Sequence, residues 1–298
     1  MLSIIVCSVR PQMLAALKEN IYATIGNNVD YEIIDFDNRK DKYSIAKVYN
    51  LCASQAKYPY LLFIHEDACF LKKDWFGKIC GKLSEPGCGV IGFAGSKAKT
   101  CVPSSWCSLR KLNVTNYYYM SDKGESNHSW SGMTKDKEFE EVVVLDGFAL
   151  FVRKDVWEEY PFDESVIRGF HCYDFDFSLT ISKRYRNYVC GTIDIKHFSN
   201  GNFDGRWFAD TLYAFNKKWH RMLPATSSDL KLSRDEMKEL EEKEYFRLLR
   251  NYRKLRKYNS WRHFGKFLKY PLTPKHLGHI MKFMVLPNSR VSGIIRRR

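Results

Sequence analysis

The sequence lacks any apolar run long enough to span a membrane. No segment approaches ~20 consecutive apolar residues, although 45% of the 298 residues are hydrophobic. Met1 leads directly into the apolar stretch L-S-I-I-V-C-S-V, without the basic leader of a signal peptide. We therefore expect a globular protein that has a full hydrophobic core and stays in the cytoplasm.

Paired cysteines are missing as well. The nine cysteines are odd in number, and no two of them are spaced as C-x-x-C. This pattern favours reduced, mostly packed thiols over a disulfide framework or a structural zinc site.

Acidic residues are absent after Glu244. Residues 1–230 carry 29 Lys and Arg against 28 Asp and Glu, whereas residues 231–298 carry 19 against 6. The net charge of +14 therefore divides into +1 for the first part and +13 for the second. A basic tail binds phosphate on nucleic acid, phosphate on lipid headgroups, or an acidic partner, and charge alone does not choose among them.

Apolar runs alternate with helical periodicity in the order of a doubly wound α/β domain. We expect strands at 3–9, 32–36, 60–64 and 89–94, and helices at 11–22, from 44 onwards and at 74–83. Strands this apolar are buried on both faces of a sheet. Ser8, Asp37 and Asp67 each fall at the end of such a strand, so we expect them at the rim where open α/β sheets bind ligands.

The third of these strands runs directly into His65, Glu66 and Asp67. Because burying an unpaired charge is costly, such a cluster either faces water at the open end of the strand or holds a cation.

Residues 95–140 are rich in Ser, Asn, Gly, Tyr and Trp and show little periodicity, which predicts a functional loop or lid. A strand at 142–153 follows and is interrupted by Asp146 and Gly147. This pair predicts either a simple bend or a contact to a substrate.

Two further carboxylates, Asp174 and Asp176, begin a helical run that ends near Arg186. Carboxylates at this position stabilise a helix whether or not they have a chemical role. A last strand is expected at 189–195, and His197 follows it.

In this order, the features resemble the inverting family 2 glycosyltransferases of the GT-A fold, over residues 1–225. The matches are the polar turn C-S-V-R that ends at Arg10, the pair Asp37 and Asn38 after the second strand, Asn50 on a helix, His65-Glu66-Asp67 at the D-x-D metal motif, Tyr173-Asp174 at the E-D base motif, and the late His197. No single match is specific, and their order and spacing together carry the resemblance.

The resemblance implies a Rossmann-like doubly wound mixed sheet and a hexosyltransferase. Such an enzyme moves a sugar from a nucleotide diphosphate, here expected to be UDP, to a hydroxyl group of a saccharide or lipid-linked acceptor in surface-polysaccharide synthesis. The residues implied for donor binding are Ser8, Val9, Arg10, Asp37, Asn38, Asn50 and Glu66. Those implied for contact with the sugar or acceptor are Asp146 and Gly147, and Asp174 is implied as the base.

A divalent cation, Mn²⁺ or Mg²⁺, is the implied cofactor, because the departing diphosphate needs its charge neutralised. Asp67 and His197 are the ligands that the resemblance implies, with His65 as a further candidate. Two positions depart from the family pattern: His65 stands at the first Asp of the D-x-D, and Tyr173 stands at the Glu of the E-D. An imidazole ligand favours Mn²⁺ slightly over Mg²⁺.

Residues 226–298 form a basic, aromatic extension. Ser233 and Glu236 form a capping box that opens a long helix. Its apolar positions at helical spacing are Tyr245, Leu248, Leu249, Tyr252 and Leu255. Basic residues interleaved with Trp261 and later aromatic residues predict that 246–298 lies on an anionic membrane, at the inner face of the cell membrane. The alternative is a packing or oligomerisation helix, and a homo-oligomer stays open.

Two other functions stay open. One is a nucleic-acid-binding α/β protein that uses the basic tail. However, the excess charge avoids the α/β domain, where a nucleic-acid enzyme needs a basic cleft, so we expect no nucleic-acid partner. The other is a nucleotidyltransferase, which shares the open sheet and metal carboxylate, but the Gly-rich phosphate loop that would support it is absent.

Overall fold

The computed structural model of the chain describes residues 1–121, 124–134, 136–199, 204–255, 277–278 and 280–281. The strands are β1 (Leu2–Ser8), β2 (Tyr31–Asp37), β3 (Tyr60–Ile64), β4 (Ala68–Phe70), β5 (Cys88–Gly92), β6 (Ala94–Ser96), β7 (Ala98–Lys99), β8 (Asn113–Met120), β9 (Ser126–Ser131), β10 (Phe139–Val142), β11 (Val144–Leu145), β12 (Ala149–Arg153), β13 (Arg186–Cys190), β14 (Ile195–His197) and β15 (Ala225–Thr226). The helices are α1 (Pro11–Thr24), α2 (Ile45–Ser54), α3 (Phe76–Leu83), α4 (Lys154–Glu159), α5 (Tyr173–Ile181), α6 (Gly205–Lys217) and α7 (Arg234–Leu255).

The main sheet has the strand order β10-β13-β5-β12-β3-β1-β2. β1 runs parallel to β2 and β3, whereas β12 runs antiparallel to β3 and β5. Alternate side chains of β3 enter different cores: Phe63 packs with α2 and α5 on one face, and Leu62 packs with α1 and α3 on the other. The predicted doubly wound mixed sheet is confirmed, and the carboxyl ends of β1, β2 and β3 meet at one edge.

A second sheet has the order β11-β6-β8-β14-β4, and β9 pairs with β8. The chain passes from β3 in the main sheet to β4 in this sheet through the turn formed by His65, Glu66 and Asp67. In the antiparallel pair of β14 and β4, His197 lies opposite Ala68. The polar cluster after β3 therefore sits where the two sheets meet, with His197 beside it.

The prediction of a structureless loop at 95–140 is wrong, because this region supplies β6 to β9 and the start of β10. The segment N-V-T-N-Y-Y-Y-M that forms β8 contains β-branched and aromatic residues, which fit a pleated surface. Tyr117 and Tyr119 line a cavity, while Tyr118 stacks on His128 of β9 with ring centroids 4.2 Å apart. Side chains that alternate between two faces are typical of a strand, and this pattern in β8 could have predicted it.

Other predicted boundaries shift. The helix expected to end near Arg186 ends at Ile181, and the strand expected at 189–195 is divided into β13 and β14. At the junction with the extension, β15 pairs with β7.

Helix α7 begins with the predicted capping box: Ser233 N–H donates to Glu236 Oε2 at 2.8 Å, and Glu236 N–H donates to Ser233 Oγ at 3.2 Å. Leu248 and Leu249 of this helix are buried in a cluster with Val102 and Phe208. For this part of the extension, the packing alternative is the correct one.

A buried carboxylate anchors α7 to the body of the protein. Glu244 accepts hydrogen bonds from the hydroxyls of Thr100, Ser104 and Ser108, and its Oε2 lies 3.4 Å from Lys99 Nζ. Lys99 and Glu244 are both almost fully buried. The helix thus holds the segment 99–108, part of which lines the cavity described below.

Within the described ranges, no helix has the length and apolar character needed to cross a bilayer. The predicted membrane-binding positions from Trp261 to Arg298 lie outside the described residues, apart from 277–278 and 280–281.

Candidate active site

A cavity of 2390 Å³ opens where the carboxyl ends of β1 and β3 meet the second sheet. The residues singled out from the sequence that line it are Val9, Arg10, Asn38, His65, Glu66, Asp67, Asp146, Gly147, Asp174 and His197. Candidates from six separate segments therefore converge on one space, as the strand-end rule predicts.

Glu66 braces the turn that follows β1. Its Oε2 accepts hydrogen bonds from Ser8 Oγ at 2.6 Å, Val9 N–H at 3.2 Å and Arg10 N–H at 3.0 Å, and its Oε1 accepts from Arg10 Nε at 2.9 Å. The carboxylate is 6% exposed. The four hydrogen bonds offset the cost of burying this carboxylate. Glu66 therefore holds in place the turn that is predicted to bind the nucleotide-sugar donor.

Asp67 divides its two oxygens between different partners. Oδ2 accepts from Arg10 Nη2 at 3.0 Å, while Oδ1 lies 3.3 Å from His197 Nε2 and 3.9 Å from His65 Nδ1. The two histidine nitrogens are 3.4 Å apart. His65, Asp67 and His197 each offer one ligand atom, and these atoms lie within 4.8 Å of one another.

The electrostatics of this cluster favour a charged Asp67 and a neutral His65. Burial and then the nearby His197 lower the pKa of His65 to about 3. Burial opposes the charge on Asp67, but the hydrogen bond from His197, the two histidines and Arg10 together hold the pKa of Asp67 well below its usual range. The cluster therefore presents one carboxylate and an imidazole lone pair near neutral pH, which is a donor set for a divalent cation.

His197 is fixed by its surroundings. Its ring stacks on Phe148 with centroids 4.7 Å apart and planes 11° apart, and Ser199 Oγ lies 3.0 Å from its Nε2. The β14–β4 pairing brings Nε2 to Asp67. A late histidine carries little information in a sequence, and it is this pairing that makes it part of the cluster.

Asp174 lies at the start of α5, next to Asp146 in the bend between β11 and β12. Burial, followed by the charge of Asp146, raises the pKa of Asp174 to about 7. The Trp106 indole N–H donates to Asp146 Oδ2 at 2.7 Å, and Phe148 N–H donates to Asp146 Oδ1 at 3.2 Å. Asp174 is thus poised to gain or lose a proton near neutral pH, as a general base requires.

Gly147 permits this close packing. A Cβ atom added there would lie 2.3 Å from Tyr173 Oη and 2.7 Å from Asp174 Cβ, which is closer than real contacts allow. Immediately before these residues, Cys172 adopts a left-handed backbone with φ of 72°. Strain of this kind in a residue other than glycine persists where surrounding structure imposes it, and it clusters at functional sites.

Asp37 and Asn38, both predicted to bind the nucleotide donor, differ in their surroundings. Asp37 is half exposed and holds Arg39 through a bidentate ion pair, while Asn38 lines the cavity and bonds to the backbone of Tyr43. The role of Asp37 stays a prediction.

Asn50, predicted to contact the donor, makes hydrogen bonds away from the cavity, and its role in donor binding stays a prediction. Its amide donates to Phe162 O and Glu164 Oε1, both at 2.9 Å, and its oxygen accepts from Phe162 N–H and the Trp157 indole. These bonds fasten α2 to the turn after α4, and Asn50 is not among the described residues that line the cavity. Its four local partners explain its position.

Asp176 is not among the described residues that line the cavity. It accepts from Lys218 Nζ at 2.9 Å and the Trp219 indole at 2.8 Å, which ties α5 to the segment after α6. Trp106, by contrast, is a site residue that the sequence reading missed, since it lies in a short 3-10 turn within the region read as loop.

A model of the glycosyltransferase-like family matches residues 3–209. No curated protein matches the chain by sequence. Among solved structures, S. aureus TarS is similar with a TM-score of 0.50 and 10% identity, covering 93% of this chain and 50% of TarS.

Two other solved structures are similar at lower scores. GalNAc-T7 with UDP, GalNAc and Mn²⁺ has a TM-score of 0.48 and 9% identity over 67% of this chain and 44% of its own. The mannosyltransferase PcManGT from Pyrobaculum calidifontis, in complex with GDP-Man and Mn²⁺, has a TM-score of 0.41 and 10% identity over 95% of this chain and 70% of its own. The chain thus spans about half the length of TarS and less than half that of GalNAc-T7.

Proposed function

This chain belongs to the glycosyltransferase-like family, and from that premise we propose that it transfers a sugar from a nucleotide-diphosphate donor, with UDP as the nucleotide, to a hydroxyl group of a saccharide or lipid-linked acceptor. One observation carries the proposal: the group of His65, Asp67 and His197 shares a cavity with Asp174, whose pKa is raised to about 7. A cation-binding group and a proton acceptor near neutrality are the two parts that such a transfer requires.

The donor set fits a divalent cation. One carboxylate oxygen and two imidazole nitrogens suit Mn²⁺ better than Mg²⁺, which prefers oxygen ligands. When bound, the cation neutralises the negative charge that develops on the departing diphosphate. Arg10, whose side chain is 49% exposed beside Asp67, is placed to add a second positive charge.

Asp174 takes the proton of the acceptor hydroxyl in this mechanism. The acceptor oxygen forms a bond to the anomeric carbon as the bond from that carbon to the diphosphate oxygen breaks, and the hydroxyl proton passes to Asp174. A single displacement of this kind inverts the anomeric centre. Asp146 maintains the charge environment of Asp174, and with Gly147 it borders the space for the sugar or acceptor.

The extension completes the proposal. Residues 1–225 form the catalytic domain with the acceptor region at 95–140, and residues 226–298 form the appendage. Of the predicted membrane-binding segment 246–298, Leu248 and Leu249 pack against the body, so the residues after Leu255 attach the enzyme to an anionic surface at the inner face of the cell membrane, where surface polysaccharide is made. Full-length protein should sediment with anionic liposomes, whereas a chain ending at Leu255 should not. Equal sedimentation of both would contradict the attachment.

Calorimetry with UDP in Mn²⁺ and in EDTA tests the central proposal. We expect Mn²⁺ to strengthen UDP binding in the wild-type protein and Asp67→Ala to abolish that gain, because the cation loses its carboxylate ligand. Asp41→Ala, which removes an exposed carboxylate outside the cavity, serves as the control. Equal UDP affinity with and without metal would refute the proposal.

A further inference from the structure

The two positions that depart from the family motifs are in direct contact. His65 Nε2 and Tyr173 Oη lie 2.6 Å apart, within a short hydrogen bond. His65 stands at the metal motif and Tyr173 at the base motif, 108 residues later. The sequence gives no sign that these two replacements are related.

A count of protons decides the direction of this bond. Tyr173 Oη also lies 2.8 Å from the backbone oxygen of Gly147, which can only accept. The single phenolic proton therefore goes to Gly147 O. The 2.6 Å contact then requires His65 Nε2 to carry a hydrogen and donate it to Tyr173 Oη.

The opposite ring nitrogen of a neutral His65 is consequently unprotonated. Its Nδ1 faces His197 Nε2 at 3.4 Å and Asp67 Oδ1 at 3.9 Å. We propose that Tyr173 is a positioning residue that fixes the tautomer and orientation of His65, so that Nδ1 becomes a ligand for a divalent cation together with Asp67 and His197. This inference rests on the proposed function and deepens it.

Packing holds Tyr173 in the required place. Its ring is 3% exposed and lies edge-on to Tyr49, with centroids 5.6 Å apart, and it also packs near Phe162. Gly147 leaves room for the hydroxyl, since a side chain there would overlap Oη. A hydrogen-bond acceptor held this firmly orients a metal-ligating imidazole in the way that partners of metal ligands generally do.

A nitrogen ligand selects among divalent cations. A third ligand that is a nitrogen favours Mn²⁺ or a later transition metal over Mg²⁺. Fixing His65 should therefore affect Mn²⁺ affinity more than Mg²⁺ affinity.

The test measures Mn²⁺ binding by calorimetry, and nitrogen coupling to Mn²⁺ by pulsed electron paramagnetic resonance. Tyr173→Phe keeps the ring and removes the hydroxyl, so Mn²⁺ affinity should fall by about 10–100-fold and one of two imidazole couplings should weaken or disappear. Tyr60→Phe removes a hydroxyl at the opposite end of β3, away from the described lining of the cavity, and should leave both readouts unchanged. Mg²⁺ affinity should change less than Mn²⁺ affinity in Tyr173→Phe.

A second background separates positioning from packing. His65→Asp supplies a carboxylate that needs no tautomer, and adding Tyr173→Phe to it should cause no further loss of Mn²⁺ affinity. Unchanged Mn²⁺ affinity in Tyr173→Phe, or an equal loss in the His65→Asp background or in Tyr60→Phe, would overturn the inference while leaving the proposed function standing. Wild-type protein that binds no Mn²⁺ would overturn both.

Discussion

Trp106 and Asp146 meet in a hydrogen bond of 2.7 Å, donated by the indole to one carboxylate oxygen. The bond holds Asp146 beside Asp174. After burial, the negative charge of Asp146 further raises the pKa of Asp174. Trp106 belongs to the segment between β7 and β8. In the same segment, the hydroxyls of Ser104 and Ser108 donate hydrogen bonds to Glu244 on α7. The surroundings of Asp174, the proposed base, therefore include parts of the chain far from it in sequence.

The first prediction concerns pH. Because a base must be deprotonated to accept a proton and the pKa of Asp174 is about 7, kcat/KM for transfer should rise about tenfold per pH unit below 7 and level off above it. Asp174→Asn should lower transfer by ~10²-fold or more and remove this rise, with donor affinity little changed. A pH–rate profile measures it, and an unchanged profile in Asp174→Asn would exclude Asp174 as the base.

The second prediction separates the causes of the raised pKa. Asp146→Asn removes a like charge, so the acidic limb of the profile should move to lower pH, although burial keeps the pKa of Asp174 above its ordinary value. Trp106→Phe removes the indole donor but keeps the charge, and it should not move the limb downward. The same downward shift in both variants would mean that loosening of the contact between Trp106 and Asp146, rather than loss of the Asp146 charge, lowers the pKa of Asp174.

The third prediction concerns Gly147. In Gly147→Ala the new methyl group must displace Tyr173 or Asp174, so transfer should fall by ~10²-fold, the loss expected for misplacement of about 1 Å. Gly77→Ala on α3 is the matched control, since nothing lies within 4 Å of its added Cβ, and it should keep full activity. Steady-state kinetics with a melting curve for each variant distinguish misplacement from unfolding.

The fourth prediction concerns the anchor of α7. Glu244→Ala leaves Lys99 buried without its carboxylate, which should lower the free energy of unfolding by about 3–5 kcal/mol. Asp235→Ala at the exposed start of the same helix should leave the urea midpoint unchanged. Equal midpoints for wild type and Glu244→Ala would show that α7 does not contribute to the stability of the body.

Much of this site was accessible from the sequence. The family resemblance is confirmed by the family match, and the ends of β1 and β3 brought Arg10 and Asp67 together as the strand-end rule expected. Strand ends are readable because apolar runs stop abruptly there, and the sheet then determines where they meet.

Other parts depend on contacts that a sequence does not encode locally. Asn50 matches a family position, but its partners, the backbone of Phe162 and the side chain of Glu164, appear only when α2 packs on the turn after α4. Trp106 lies in a 3-10 turn with no periodic signal. Tyr173 was visible as a departure, yet its bond to His65 joins residues that only the fold brings together.

The turn between β3 and β4 makes the spacing of the site adjustable from a distance. Asp67 and His197 are coupled through the β4–β14 pairing of the second sheet, whereas Asp174 is carried by α5 against the main sheet. Because His65 follows β3 and contacts Tyr173 of α5, the three cation-binding candidates span both sheets, and a slide of one sheet over the other would change their spacing as well as their distance from Asp174. Substitutions at Phe93, whose ring packs 6.0 Å from that of Phe148, would therefore reach His197 through Phe148 without replacing any of the three candidates.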